Sequence, residues 1–272
     1  MSLTLGLVSN IARTHRLPNP IVNYSEEADS FLRQGKLELA EREYAKVSRV
    51  YPLGVSFTNL GSVRSEQKRF KEAAAAYRKA LNAEPDNPAC MSALALALMR
   101  SGETAQGDAL FQKALALGPQ SEGVRFNYAL ALESTGDMTR AVTEYREVIR
   151  LSPKHIGAHL RLGDAYAGFG RINDAEKEYR AVLEIDPSHS DAANNLGTVM
   201  AQRKRFNEAV DLFRIALEKS PDQEDIRLNL ASALSDAGRS AESAEEYKRL
   251  LGRTKNPELI NHINAVLAHG TR

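Results

Sequence analysis

Val148-Ile149-Arg150-Leu151-Ser152-Pro153 is one of five similar apolar runs that end in proline. Ala80-Leu81-Asn82-Ala83-Glu84-Pro85 and Ala114-Leu115-Ala116-Leu117-Gly118-Pro119 come before it. Val182-Leu183-Glu184-Ile185-Asp186-Pro187 and Ala216-Leu217-Glu218-Lys219-Ser220-Pro221 come after it. With Pro52, these prolines are separated by one step of 33 residues and then four of 34. A period held this long marks an array whose units stack on their neighbours, so it is read before any local motif. It also overrides the usual allowance of about 100–200 residues per domain, because an array lengthens by adding units.

Each period holds two helical patterns. In the fifth unit Leu162 and Tyr166, and then Ala175, Tyr179, Val182 and Leu183, recur at helical spacing. Gly170 falls between them, where a helix end favours a residue that tolerates positive φ, and Gly35, Gly102, Gly136 and Gly238 hold the same place elsewhere. The proline then follows the second helix, whose hydrogen-bond ladder it cannot continue. Small residues (Ala28, Gly61, Ala95, Ala129, Gly163, Gly197 and Ala231) mark the first helices. Ala40, Ala73, Gly107, Ala141, Ala175, Ala209 and Ser243 mark the second, with Tyr44, Tyr77, Phe111, Tyr145, Tyr179, Phe213 and Tyr247 beside them. Small side chains facing large ones predict close helix pairs without voids.

Recurring together, these small, aromatic and proline positions resemble the tetratricopeptide repeat family over residues 21–254, in seven units. The resemblance implies an all-α solenoid, a right-handed superhelix of helix–turn–helix units whose first helices line a concave surface. Two departures fall at the ends: Glu27 stands where other units have Leu or Tyr, and no proline follows Leu251. Residues 255–272, with Leu259, Ile260, Ile263, Val266 and Leu267, read as a C-terminal capping helix. Residues 1–20 read as an N-terminal arm or cap: Leu3, Leu7 and Ile11 share a helical face, and Leu17-Pro18-Asn19-Pro20 breaks it from the array. That segment is a cap or leader on one reading and an amphipathic docking arm on the other.

Composition narrows the partners. The 272 residues are 43% hydrophobic and 26% charged, which are globular values. Lys and Arg number 36 against 35 Asp and Glu, so no basic excess favours nucleic acid or a membrane surface. Cys90 is the one cysteine, which rules out an intrachain disulfide and a thiolate metal cluster and suits the cytoplasm. Leu3 to Val8 is too short to span a membrane and lacks the basic flank of a secretory signal.

No catalytic constellation emerges. His155 and His159 stand four apart, but Ile156-Gly157-Ala158 between them lacks the glutamate of the zinc-protease motif, so packing or exposed histidines are expected and no metal. Gly168-Phe169-Gly170 follows a helix rather than a strand, which makes it a turn and not a dinucleotide loop. No enzyme and no cofactor are expected.

The resemblance directs attention to the concave face. Asn127, Arg161, Asn195 and Asn229 recur at one place there, and carboxamides in a ladder can pair with the N–H and C=O of an extended peptide. Solvated asparagines are the plainer reading. Leu96, Met99, Phe126, Leu130 and Leu160 form an apolar set, read either as a partner site or as packing between first helices. Asp164, Asp191, Asp225 and Asp236 make the C-terminal stretch acidic and favour a basic segment. Thr58, Ser62, Ser92 and Asp164 stand where the family's chaperone clamps carry carboxylate-binding residues, so that specificity is not expected. The chain therefore reads as a protein–protein interaction scaffold with an unnamed protein or peptide partner. The alternatives are the substrate-presenting part of a larger enzyme, such as a protein glycosyltransferase, and a self-assembling homo-oligomer.

Overall fold

The computed structural model describes residues 19–269, which contain fifteen α-helices and no strand. The chain parts into two compact units between Leu151 and Ser152. The first holds α1 (Asn19–Arg33), α2 (Leu37–Val50), α3 (Gly54–Glu66), α4 (Phe70–Ala83), α5 (Pro88–Arg100), α6 (Thr104–Leu117), α7 (Glu122–Ser134) and α8 (Met138–Leu151). The second holds α9 (Ile156–Gly168), α10 (Ile172–Ile185), α11 (Ser190–Gln202), α12 (Phe206–Lys219), α13 (Glu224–Asp236), α14 (Ser240–Leu251) and α15 (Pro257–His269). The arm expected over residues 1–20 lies outside the described residues, except Asn19 and Pro20, which open α1.

Every first helix ends in the same turn. Gly170 has φ 70°, its N–H donates to Ala167 C=O at 3.0 Å, and Arg171 N–H donates to Tyr166 C=O at 2.8 Å. These two bonds satisfy carbonyls that the helix end leaves open. Gly35, Gly102, Gly136 and Gly238 share the positive φ. The second and sixth repeats have no glycine there; Lys68 and Lys204 adopt φ 60° instead. At the other end, Asn87, Ser121, His155 and His189 cap α5, α7, α9 and α11 with side chains that accept a backbone N–H.

The small-and-large pattern packs as expected. A Cβ on Gly61 would stand 2.6 Å from the Tyr77 ring, on Gly163 2.6 Å from Tyr179, and on Gly197 2.7 Å from Phe213. In the fourth repeat Tyr128 stacks on Phe111 of the third, ring centroids 4.7 Å apart. Every buried side-chain nitrogen and oxygen among the described residues has a hydrogen-bond partner. At the end of the second unit, α15 sets Ile263 against Tyr247 and Leu250 and adds Leu259, Val266 and Leu267 around them.

Ion pairs tie neighbouring repeats. Glu41 of α2 accepts from Arg64 at 2.9 Å and from Arg69 at 2.5 Å. In the second unit Glu176 of α10 accepts from Arg203 at 2.7 Å and from Arg205 at 3.4 Å. Burial would raise the pKa of both carboxyls, but the guanidinium bonds and charges prevail and hold both low.

Candidate partner-binding surfaces

Four repeats share a bond between their two helices. The second-helix tyrosine hydroxyl meets a polar group fifteen residues earlier: Tyr44 meets Asp29, Tyr77 meets Ser62 at 3.3 Å, Tyr179 meets Asp164 at 2.9 Å, and Tyr247 meets Ser232 at 3.3 Å. Burial raises the pKa of Tyr179, and the Asp164 charge raises it further, so the hydroxyl stays a donor. The third and fourth repeats differ. Leu96 stands opposite Phe111, which has no hydroxyl, and Leu130 opposite Tyr145, whose hydroxyl turns to Glu133 at 2.6 Å.

In the first unit the half-buried Leu96 of α5 and the half-buried Phe126 and Leu130 of α7 therefore replace polar neighbours with apolar surface. Phe126 tilts over Tyr145, centroids 5.9 Å apart, so part of its ring serves packing. Asn127 Nδ2 donates to Ser92 Oγ at 3.0 Å and ties α7 to α5. Met99, expected with this set, does not belong to it. It is 3% exposed and lies against α6, where a Cβ on Gly107 would stand 2.4 Å from its Cγ. The second helix has given up its own side chain to make room. Gly107, standing where most repeats have alanine, was the sequence sign of that exchange.

In the second unit Leu160 is half-buried and Arg161 exposed. The asparagines here are bonded in series rather than merely solvated. Asn229 Nδ2 donates to Asn194 Oδ1 at 3.2 Å, Asn194 Nδ2 to Asn195 Oδ1 at 3.2 Å, and Asn195 Nδ2 to Asp164 Oδ1 at 2.9 Å. Asp164, expected as part of an acidic stretch, accepts from Tyr179 through the same oxygen. Asp191 and Asp225 are exposed in the first turns of α11 and α13, where the helix dipole favours negative charge. A carboxamide has two N–H groups and two lone pairs, so one bond to a neighbour leaves capacity for a partner's backbone. Asn194 was missed as a member of these surfaces, and Ser92 was read only as a place in the carboxylate clamp, not as the partner of Asn127. The fifteen-residue pairing of hydroxyl and acceptor was the available signal for which first-helix positions are polar.

His155 and His159 do not converge on a metal: the first caps α9, and the second is buried between Glu178 and the Pro153 carbonyl. Among the described residues no group of three or more His, Cys, Asp or Glu could hold one. No helix among them is long and apolar enough to cross a membrane.

Helix pairs stacked by small residues under aromatic rings define an all-α repeat protein of the solenoid class. A family model described as Tetratricopeptide repeat matches residues 25–88, 92–156 and 160–224, and a second of the same description matches 200–261. The chain belongs to the tetratricopeptide repeat family, whose arrays are protein-interaction scaffolds. Solved structures share the fold at low identity. The Cut9 chain of the APC/C hetero-tetramer Cut9–Hcn1 superposes with TM-score 0.64 at 18% identity, over 85% of this chain and 46% of that one. This chain therefore spans about half of Cut9. PilW, a type IV pilus biogenesis factor, gives TM-score 0.64 at 18% identity over 77% and 98% of the two chains. PilF of Pseudomonas aeruginosa gives 0.62 at 18% over 78% and 96%. No curated protein matches the chain in sequence.

Proposed function

We propose that the chain holds an extended segment of another protein against its first helices. The first unit would supply apolar contact through Leu96, Phe126 and Leu130, with Asn127 beside them. The second unit, by itself, would offer a segment Leu160, Arg161 and the backbone-pairing carboxamides of Asn195 and Asn229, with Asp191 and Asp225 favouring a basic one. The observation that carries this reading is the pair Leu96 and Leu130. Four other repeats use that place for a group bonded to tyrosine, whereas these two carry a half-buried leucine. A cytoplasmic setting fits a chain whose one cysteine, Cys90, is a free thiol.

The test uses substitutions that the fold already accepts. Ser62 and Ser232 occupy the matching place in the second and seventh repeats, and in the sixth Thr198 stands there opposite Phe213, its hydroxyl donating to the Asn194 carbonyl at 3.1 Å. Leu96→Ser with Leu130→Ser should therefore keep the thermal unfolding midpoint near that of the parent. Partners captured by the parent chain should bind the double variant weaker by about 2 kcal/mol or more. Lys113→Glu, exposed on α6, should leave capture intact. Capture that survives the double serine change and fails with Lys113→Glu would move the partner to the second helices.

A further inference from the structure

Arg125, His159 and Arg227 stand at one place in three repeats, four residues before the small residue of the first helix. In the first unit Arg125 Nη1 donates to Glu144 Oε2 at 2.7 Å and Nη2 to the Pro119 carbonyl at 3.1 Å. In the second unit Arg227 Nη1 donates to Glu246 Oε2 at 2.7 Å and Nη2 to the Pro221 carbonyl at 2.8 Å. His159 has the same two partners in its own repeat. Its Nδ1 lies 2.7 Å from Glu178 Oε2, and its Nε2 lies 3.0 Å from the Pro153 carbonyl. In all three the carboxylate is 19 residues ahead and the proline 6 behind. One cation thus clips the second helix of a repeat to the loop by which the chain enters it. The third and sixth repeats do without it, with Met91 and Leu110, and Ala193 and Leu212, at the matching places.

A carbonyl and an ionised carboxylate can only accept. Neutral imidazole has one N–H, so it would turn a lone pair toward one of these two oxygens. Imidazolium donates to both, as the two arginines do. We infer that the fifth repeat is clipped by a protonated His159, and that this clip opens when the proton leaves, whereas those of Arg125 and Arg227 stay closed. The charged groups that act on the ring are Glu178 and Lys177, both from α10, and the entry loop adds Lys154 and His155 beside the Pro153 carbonyl.

The energetics point the same way. The Glu178 bond raises the pKa of His159, the Pro153 carbonyl adds to it, and burial and Lys177 oppose without prevailing. A histidine raised in the folded state stabilises it fully below its ordinary value of about 6.5 and loses that contribution as pH rises through the folded value. Loss of the His159 proton therefore loosens residues 152–159 on the alkaline side. His155 caps α9 in the same loop, its Nδ1 accepting the Ala158 N–H at 3.0 Å.

Nitrogen-detected NMR of the imidazoles in the intact chain reads the proton count directly. His159 should carry protons on both ring nitrogens at about pH 6.5 and lose one only above it. Backbone amides of residues 156–159 should then exchange faster, beyond the ordinary base-catalysed rise seen elsewhere in the chain. His159→Arg should remove that excess, because a permanent cation takes over as in the fourth and seventh repeats. His159→Gln should leave the loop loose at every pH. A single-proton His159 at about pH 6.5, or a titration at or below that value, overturns the inference. So does a folded His159→Arg chain that keeps the alkaline loosening of the parent. If a variant does not fold, the proton count of the parent decides alone.

Discussion

Lys68 and Lys204 hold a backbone conformation that the other repeats assign to glycine. A side chain at φ 60° brings its Cβ against the following carbonyl, which costs about 1–2 kcal/mol. The bonds of the turn nonetheless match those made by glycine: Arg69 N–H to Arg64 C=O at 2.9 Å, and Arg205 N–H to Met200 C=O at 2.9 Å. Glycine loses more chain entropy on folding, which offsets part of the relief. Lys68→Gly and Lys204→Gly should each raise stability by about 1 kcal/mol, read as a higher denaturant midpoint at unchanged slope. A fall in midpoint would mean that the lysine side chains make contacts worth more than the strain. Five of these turns were legible in the sequence because glycine advertises positive φ. The two lysines advertise nothing, and only their register in the period assigns them the same turn.

At the scale of the helix pair, the small and aromatic positions were legible because each depends on one residue filling the space left by another. The polar links were not, because a hydroxyl can reach several acceptors and the pattern of residue types does not choose among them. Tyr145 illustrates this: with Leu130 opposite, its hydroxyl turns to Glu133. The candidate surface was read in part for the same reason. Its first-helix positions followed from the period, yet Met99 turned inward once Gly107 opened space for it, and Asn194 joined a hydrogen-bonded series that residue types alone did not suggest. Tyr179→Phe tests the link directly. It removes the donor to Asp164 and should lower stability by about 1 kcal/mol, measured by chemical denaturation. The reverse change, Phe111→Tyr, places a hydroxyl opposite Leu96 and should also destabilise, since a polar group left buried without a partner costs about 1–3 kcal/mol.

Over the whole chain, repeats that contact only their neighbours confine the effect of a cut to the end that suffers it. Deleting residues 257–272 uncovers Tyr247 and Leu250, which Ile263 now covers. Amide exchange should accelerate most in α13 and α14 and remain unchanged in the first unit. Equal acceleration from end to end would instead require the two units to unfold as one. The ion pairs at Glu41 and Glu176 bear on how such a chain changes length. Lys68-Arg69-Phe70 and Lys204-Arg205-Phe206 are the same tripeptide, and each delivers an arginine to a glutamate of the preceding repeat. The second and sixth repeats thus carry interchangeable couplings. A recombinant in which the sixth repeat directly follows the first would bring Arg203 and Arg205 to Glu41, closing a shorter array on an interface it already possesses.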